Sequence, residues 1–89
     1  MGLTTAKVIF ADFNNFDTDG FIRLNCVGTA RDLESAGIVL QVNLRLVVSD
    51  GDLKAEIVVV PPSSEGVWRG KVVTDLEEFD HRTRKWSPL

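Results

Sequence analysis

Apolar and polar residues alternate most clearly along residues 38–60, where two such runs flank an Asp-Gly pair at residues 50–51. An Asp-Gly pair between alternating runs is typical of a β-hairpin with a two-residue loop. If Asp-Gly forms that loop, Val48 lies opposite Leu53. The even-numbered residues of the first strand, from 40 to 48, then share the core face, because side chains alternate along a strand.

The other face of this predicted hairpin places Arg45 opposite Glu56 as an ion pair. The end of the second strand, residues 57–60, is apolar on both faces. A strand with one face in water alternates, whereas a strand covered on both faces need not. We therefore expect another part of the structure to cover Val58 and Val60. The candidates are a C-terminal helix, a further strand of a closed barrel, and a second copy of the protein.

Turn and capping signals divide the rest of the chain. We expect two strands over residues 6–13 and 21–27, paired as a hairpin across the turn at residues 17–20. The sequence also predicts a short helix from Ala30 to Ala36, with Thr29 as its N-cap and Gly37 as its end, and then a strand over residues 67–73. A C-terminal helix is predicted over residues 75–85, because Thr74 to Glu77 forms a capping box. The apolar stripe of this helix consists of Leu76, Phe79 and Trp86.

These elements predict a mainly β, α+β fold in a single domain over residues 1–89. Five strands would form a small antiparallel barrel or bent sheet, with one helix after the second strand and one at the C-terminus. The meander of the third, fourth and fifth strands resembles SH3-like small barrels in outline. That resemblance concerns topology and implies no activity.

Charge is distributed unevenly along this chain, whose net charge is −3. Residues 1–80 contain seven basic and thirteen acidic side chains, a balance of −6, whereas all charged side chains after residue 80 are basic or His81. The single cysteine cannot form an internal disulfide, and no secretory signal is recognisable, so we expect a cytoplasmic location. No apolar run approaches the length of about 20 residues that a membrane-spanning helix needs, so we expect no membrane partner.

The turn that begins at Asn15 matches the first half of an EF-hand loop, with Asp17 and Asp19 at the next ligand positions and Gly20 at the sixth. The match then ends, because the last ligand position holds Cys26 instead of glutamate. The flanking segments also have strand patterns instead of helical ones. We therefore predict an ordinary turn, with Asn15, Asp17 and Asp19 as a weak candidate calcium site, and no other metal or cofactor.

Catalytic patterns are sparse in this sequence. Cys26 shares a predicted strand face with apolar residues, which favours a buried side chain over a nucleophile. His81, the single histidine, lies in the charged predicted C-terminal helix. A small enzyme using Cys26 or His81 remains an alternative, although no third orienting residue is apparent. The sequence favours a protein that is not an enzyme.

We therefore predict a non-catalytic binding or assembly module that acts through protein–protein contacts, either with a different protein or by self-association as a homodimer. Its candidate interface consists of Val47, Val58, Val60, Phe79 and Trp86. The alternative is binding of a nucleic acid or another acidic partner, which the net negative charge disfavours. Its candidate basic patch consists of Arg69, Lys71, Arg82, Arg84 and Lys85.

Overall fold

A computed structural model describes residues 7–89 and shows one sheet that curls into a half-barrel, together with one helix. The elements are β1 (Val8–Phe10), β2 (Ile22–Arg23), α1 (Val27–Ala36), β3 (Arg45–Ser49), β4 (Leu53–Val60), β5 (Arg69–Val72), β6 (Glu77–Asp80) and β7 (Lys85–Pro88). The strand order is β1-β3-β4-β5-β2, and β6 lies between β4 and β7. The predicted mainly β class is confirmed. The prediction of five strands and two helices was wrong, since the described residues form seven strands and one helix.

Strand β4 is the centre of the sheet. One of its edges pairs with β3, while its other edge is shared by β5, beside residues 57–60, and β6, beside residues 53–54. Between β5 and β6, Val73 donates its backbone N–H to the Glu56 carbonyl, and Glu56 donates its own N–H to the Thr74 hydroxyl. The backbone of β4 is therefore hydrogen-bonded on both sides along most of its length.

The predicted β3–β4 hairpin is present, but its register differs by two residues. Val48 lies opposite Ala55 instead of Leu53, and Leu46 lies opposite Ile57. A shift of two residues keeps every side chain on its predicted face. Leu46 and Val48 are accordingly buried in the core, as the alternation predicted.

The turn chemistry explains this register. Asp50 accepts hydrogen bonds at Oδ1 from the backbone N–H groups of Asp52 (2.9 Å) and Leu53 (2.8 Å). Asp50 therefore lies before the loop, which consists of Gly51 and Asp52. Gly51, with φ of 100°, takes the first loop position instead of the second. The sequence therefore identified the turn but placed it one residue too early.

The first strand of the hairpin begins at Arg45, so the prediction of a strand from residue 38 was wrong. Leu44 donates its N–H to the Gln41 carbonyl in a turn, and Asn43 has a φ of 72°. Val42, predicted to face the core, is 47% exposed. Asparagine tolerates this left-handed conformation better than most residues, which allows the chain to bend just before β3.

Strand β1 is parallel to β3, and β2 is antiparallel to β5, so the predicted hairpin of the first two strands was wrong. A small local hairpin does exist, because Arg23 donates its N–H to the Asn15 carbonyl and Asp17 donates its N–H to the Phe21 carbonyl. The intervening turn therefore forms as predicted, but β1 pairs with a strand far along the sequence.

Helix α1 begins at Val27, earlier than predicted, with Cys26 as its N-cap residue. Thr29, the predicted cap, lies inside the helix and donates its hydroxyl to the Phe10 carbonyl at 2.7 Å. Asp32 accepts the Phe10 N–H at 2.8 Å. These side chains bind the outer edge of β1, so the polar residues that suggested a helix start instead attach the helix to the sheet.

The helix ends at Gly37, which has a φ of 69°, as predicted. Leu33 of this helix packs into the hydrophobic core together with residues of the sheet and its loops. The core consists of Ile9, Ala11, Ile22, Leu24, Leu33, Leu46, Val48, Ile57 and Val59. Gly70 of β5 belongs to this packing, because a Cβ atom there would overlap the side chain of Ile57.

The predicted C-terminal helix is instead the β6–β7 hairpin. Phe79 and Trp86 are opposite each other on the two strands, with ring centroids 5.1 Å apart, so the two aromatic residues of the predicted stripe do meet. Thr74, predicted to cap the helix, uses its hydroxyl to bind the backbone of Glu56. Local helix signals are outweighed here by long-range pairing with β4, a partner that a capping pattern cannot reveal.

Candidate functional site

A groove of about 500 Å³ lies beside the β3–β4 pair, where the chain passes from β5 to β6. Its floor is contributed by β3 and β4 and its walls by the segment before β6 and the end of β7. The lining residues are Val47, Lys54, Ala55, Glu56, Thr74, Asp75, Glu77 and Pro88. Among the residues predicted as an interface, Val47 lines this groove.

The walls of the groove are held by specific pairings. The bond from the Glu56 N–H to the Thr74 hydroxyl, 2.9 Å, fixes the segment that carries Asp75. Glu77 lies opposite both Lys54 of β4 and Pro88 of β7, so it joins the two walls. The groove is thus built by sheet pairing and one side-chain bond.

Acidic side chains outnumber basic ones in this groove. Arg45 bonds both oxygens of Glu56, at 2.7 and 3.2 Å, and this hydrogen bonding lowers the pKa of Glu56 despite partial burial. Lys54 lies 3.5 Å from Glu77 and 4.4 Å from the centre of the Trp86 ring. Asp75 is exposed and has no ion-pair partner within residues 7–89. The rim therefore retains an unbalanced negative charge.

Two edges of the sheet are bonded within the protein at single residues, Phe10 of β1 and Arg23 of β2. The outer groups of β1 at Phe10 are bound by α1, and β2 is bonded at Arg23 by Asn15. On β7, Leu89 donates to the Leu76 carbonyl, so the backbone of the neighbouring Pro88 points away from β6 and offers no N–H donor. Strand addition at β7 is therefore hindered by proline.

The other predicted interface residues do not line the groove, and the Trp86 ring borders it through Lys54. Val58 and Val60 are half-buried in the second half of β4, where Val58 is flanked by Arg45 and Lys71. Phe79 and Trp86 belong to the hairpin that extends the sheet beside residues 53–54. The predicted helix that would have covered the two valines does not form, so these residues do not form a single patch.

Arg69, predicted to be solvated, is only 8% exposed. Its Nη1 lies 3.1 Å from both Asp17 Oδ2 and Asp19 Oδ2, and its Nε and Nη2 donate to the Pro61 carbonyl. The guanidinium also lies 4.9 Å from the centre of the Phe21 ring. Arginine thus serves as the cation for the acidic turn, a pairing that local sequence patterns cannot show.

The candidate calcium ligands are already engaged by the protein. Burial would raise the pKa of Asp17, but hydrogen bonds from the backbone of Phe21, from Arg69 and from the backbone of Asp19 outweigh it and lower the pKa. The side-chain oxygen of Asn15 accepts a bond from Arg23 at 3.2 Å. In the part of the chain that the structure describes, no group of three or more His, Cys, Asp or Glu residues is placed to hold a metal ion.

The predicted basic patch is divided among three places. Arg69 is buried, and Lys71 lies opposite Val58 on β5. The other three cations, Arg82, Arg84 and Lys85, belong to the turn between β6 and β7 and are exposed. Phe79 donates its N–H to the carbonyl of Asp52, just before β4, and Lys71 lies opposite Val58. The six steps along the strand from Asp52 to Val58 therefore place Lys71 about 20 Å from this turn.

Cys26 and His81 each have a different neighbour. Cys26 is half-buried before α1, with its sulfur 3.9 Å from the Asn15 side-chain amide. The Nε2 atom of His81 lies 2.8 Å from Asp52 Oδ1, and both side chains are exposed. The imidazole also packs edge-on against Phe79. The geometry therefore does not form a Cys–His pair.

No family model, curated protein or solved structure matches this chain. The helices among residues 7–89 include none that is long and apolar enough to cross a membrane.

Proposed function

We propose that the protein is a non-catalytic protein-binding module and that the groove lined by Val47, Asp75 and Glu77 is its binding surface. The observation that supports this proposal is an open groove that exposes Val47 on its floor and the unpaired Asp75 on its rim. A partner would dock side chains into this groove, since Pro88 hinders the addition of a strand at β7.

The lining indicates the chemistry of the partner. An apolar side chain would contact Val47 and Pro88, and a lysine or arginine beside it would approach Asp75. Apolar contact would supply most of the affinity, while the charges would favour cationic partners and speed association. A groove of this size accommodates a short segment, so we expect a weak contact at the small end of the range for protein interfaces.

Nucleic-acid binding has less support. Arg69 is committed to Asp17 and Asp19, and Lys71 is remote from the basic turn. The three cations that remain together lie beside Asp52 and Asp80, so their excess positive charge is small for binding a phosphate backbone. A protein partner at the groove is the better interpretation.

Selection from a phage-displayed library of random peptides against the immobilised full chain tests the proposal. We expect enriched peptides that carry a lysine or arginine next to an apolar residue. Their binding should weaken about tenfold when the rim charge is reversed in Asp75→Arg, because like charges then face each other.

Glu34→Arg is the matched control, because Glu34 is an exposed acid on α1 outside the groove. It makes the same change in net charge and should leave peptide binding unchanged. Failure to enrich any peptide, or equal loss of binding in both variants, would contradict a groove-based function.

A further inference from the structure

We infer that the partner of the groove is a second copy of this chain, which inserts the basic turn between β6 and β7, residues 81–84, followed by Lys85. This inference rests on the proposed function, since it names the occupant of the same groove. The contact would be head to tail: the turn of one copy would meet the groove of the next.

Charge complementarity is the first argument. The turn carries Arg82 and Arg84, and Lys85 follows it; none of the three forms an ion pair within residues 7–89. Two acids lie beside these three cations, because Asp80 accepts backbone N–H groups of the turn and Asp52 contacts His81, so the turn keeps an excess of positive charge. Asp75 of the groove lacks an ion-pair partner among the described residues. The turn and the groove rim therefore carry opposite excess charge in one copy.

The geometry of the β6–β7 hairpin is the second argument. Glu77 and Pro88, at one end of the hairpin, line the groove, whereas Asp80 and Lys85, at the other end, flank the turn. Three residues of extended strand separate the two ends by about 10 Å. A paired hairpin cannot bend its own turn back into the groove, so the two surfaces meet only between copies.

The turn also supplies the apolar part that the groove would accept. The aliphatic stems of Arg82 and Arg84 add apolar surface next to their charged ends. Because the turn and the groove are different surfaces, repeated contacts would form chains or rings instead of a symmetric dimer.

Sedimentation velocity of the full chain at increasing concentration tests the inference. At 50 mM salt we expect the weight-average mass to rise beyond that of a dimer. At 0.5 M salt the association should weaken at least about tenfold, because the Debye length falls to about 4 Å and screens exposed charges. A chain that stays monomeric at millimolar concentration in low salt would overturn the inference.

Two charge reversals locate the contact. Arg82→Glu removes a cation from the turn, and Asp75→Arg reverses the rim of the groove; each alone should abolish most association. The exposed helix residues provide controls of the same charge change, Arg31→Glu and Glu34→Arg, which should associate like the wild type. Association that is indifferent to both reversals, or equally sensitive to the controls, would overturn the inference.

Mixing the two variants provides the decisive measurement. An Arg82→Glu copy keeps its groove, and an Asp75→Arg copy keeps its turn, so an equimolar mixture should form dimers that grow no further. A mixture that stays monomeric would contradict a head-to-tail contact. If the chain does not self-associate but the phage selection yields groove-binding peptides, only this inference fails, whereas failure of the selection contradicts the proposed function itself.

Discussion

The two halves of β4 have different neighbours and different burial. Residues 57–60 pair with all four residues of β5 and contribute Ile57 and Val59, both fully buried, to the core. Residues 53–54 pair with only two residues of β6, and their side chains are half-buried. The second half ends beside the buried Arg69, whereas the first half contributes Lys54 to the open groove. One strand thus combines a stabilising half with a half available for contacts.

Truncating one apolar side chain in each half should give the largest difference. Ile57→Ala should lower the free energy of unfolding by about 3 kcal/mol, because it leaves a cavity in a closely packed core. Leu53→Ala should cost about 1 kcal/mol, since Leu53 is half-buried and loses less apolar contact. Urea unfolding followed by tryptophan fluorescence measures both. Equal losses would mean that the first half of β4 is as stabilising as the second.

Removing the cation beside the second half of β4, Arg69, or the cation within the first half, Lys54, should give a smaller difference in the free energy of unfolding. Arg69→Met should lower the free energy of unfolding by about 2 kcal/mol, because Asp17 Oδ2 and the Pro61 carbonyl lose the donors that Arg69 provides. The accessible side of Asp19, whose side chain is 64% exposed, keeps this cost below that of a fully buried charge. Lys54→Met is the control and should cost less than about 1 kcal/mol, as is usual for accessible ion pairs. The opposite ranking would refute the structural role of Arg69.

Acidification should lower the free energy of unfolding by a smaller amount, in part because Asp17 becomes protonated. The pKa of Asp17 in the folded protein is lowered from 3.8, so its ionised form is favoured by folding. Its contribution to stability is therefore complete above about pH 4 and disappears as the pH falls through the lowered pKa.

The variant Asp17→Asn should consequently lose less stability than the wild type between pH 5 and pH 2 in urea unfolding. Some pH dependence should remain, because the pKa values of Glu56 and Glu65 are also lowered by hydrogen bonds from Arg45 and Arg23. A loss in the variant that equals the wild-type loss would show that Asp17 does not titrate as proposed. Carbon-13 NMR of the Asp17 carboxyl gives an independent reading of its pKa.

Signals that act within a few residues were sufficient to predict several elements. The Asp-Gly pair identified the β3–β4 hairpin, Gly37 identified the end of α1, and alternation identified Leu46 and Val48 as core residues. Each of these features depends on backbone conformation or side-chain periodicity close to the residue concerned. The two-residue register error arose because Asp50 caps the turn with its side chain, a contact that competes with the two-residue loop assumed from Asp-Gly.

Features that depend on distant partners were not predictable in the same way. Thr74 and Glu77 satisfy a helix-capping pattern, but Glu77 pairs with Lys54 in the sheet and the Thr74 hydroxyl binds the backbone of Glu56. The segment therefore forms a strand beside the start of β4. Arg69 looked like a surface cation because the carboxylates that bind it lie far away in sequence, at Asp17 and Asp19. Of the candidate site, Val47 was anticipated, but the groove could not be, because it depends on the pairing of β6 with β4.

The parallel pairing of β1 with β3 separates the order of synthesis from the order of assembly. Val8 leaves the ribosome well before Val47, its partner in the sheet, and Phe10 also needs Asp32 of α1 to occupy its outer edge. Closing so long a segment costs chain entropy before the contacts of Ile9 are gained, and such non-local pairing slows folding. A nascent chain that ends before β3 therefore holds Ile9 and Ala11 without the strand that buries them. Strand β1 therefore joins the sheet only after β3 has been synthesised.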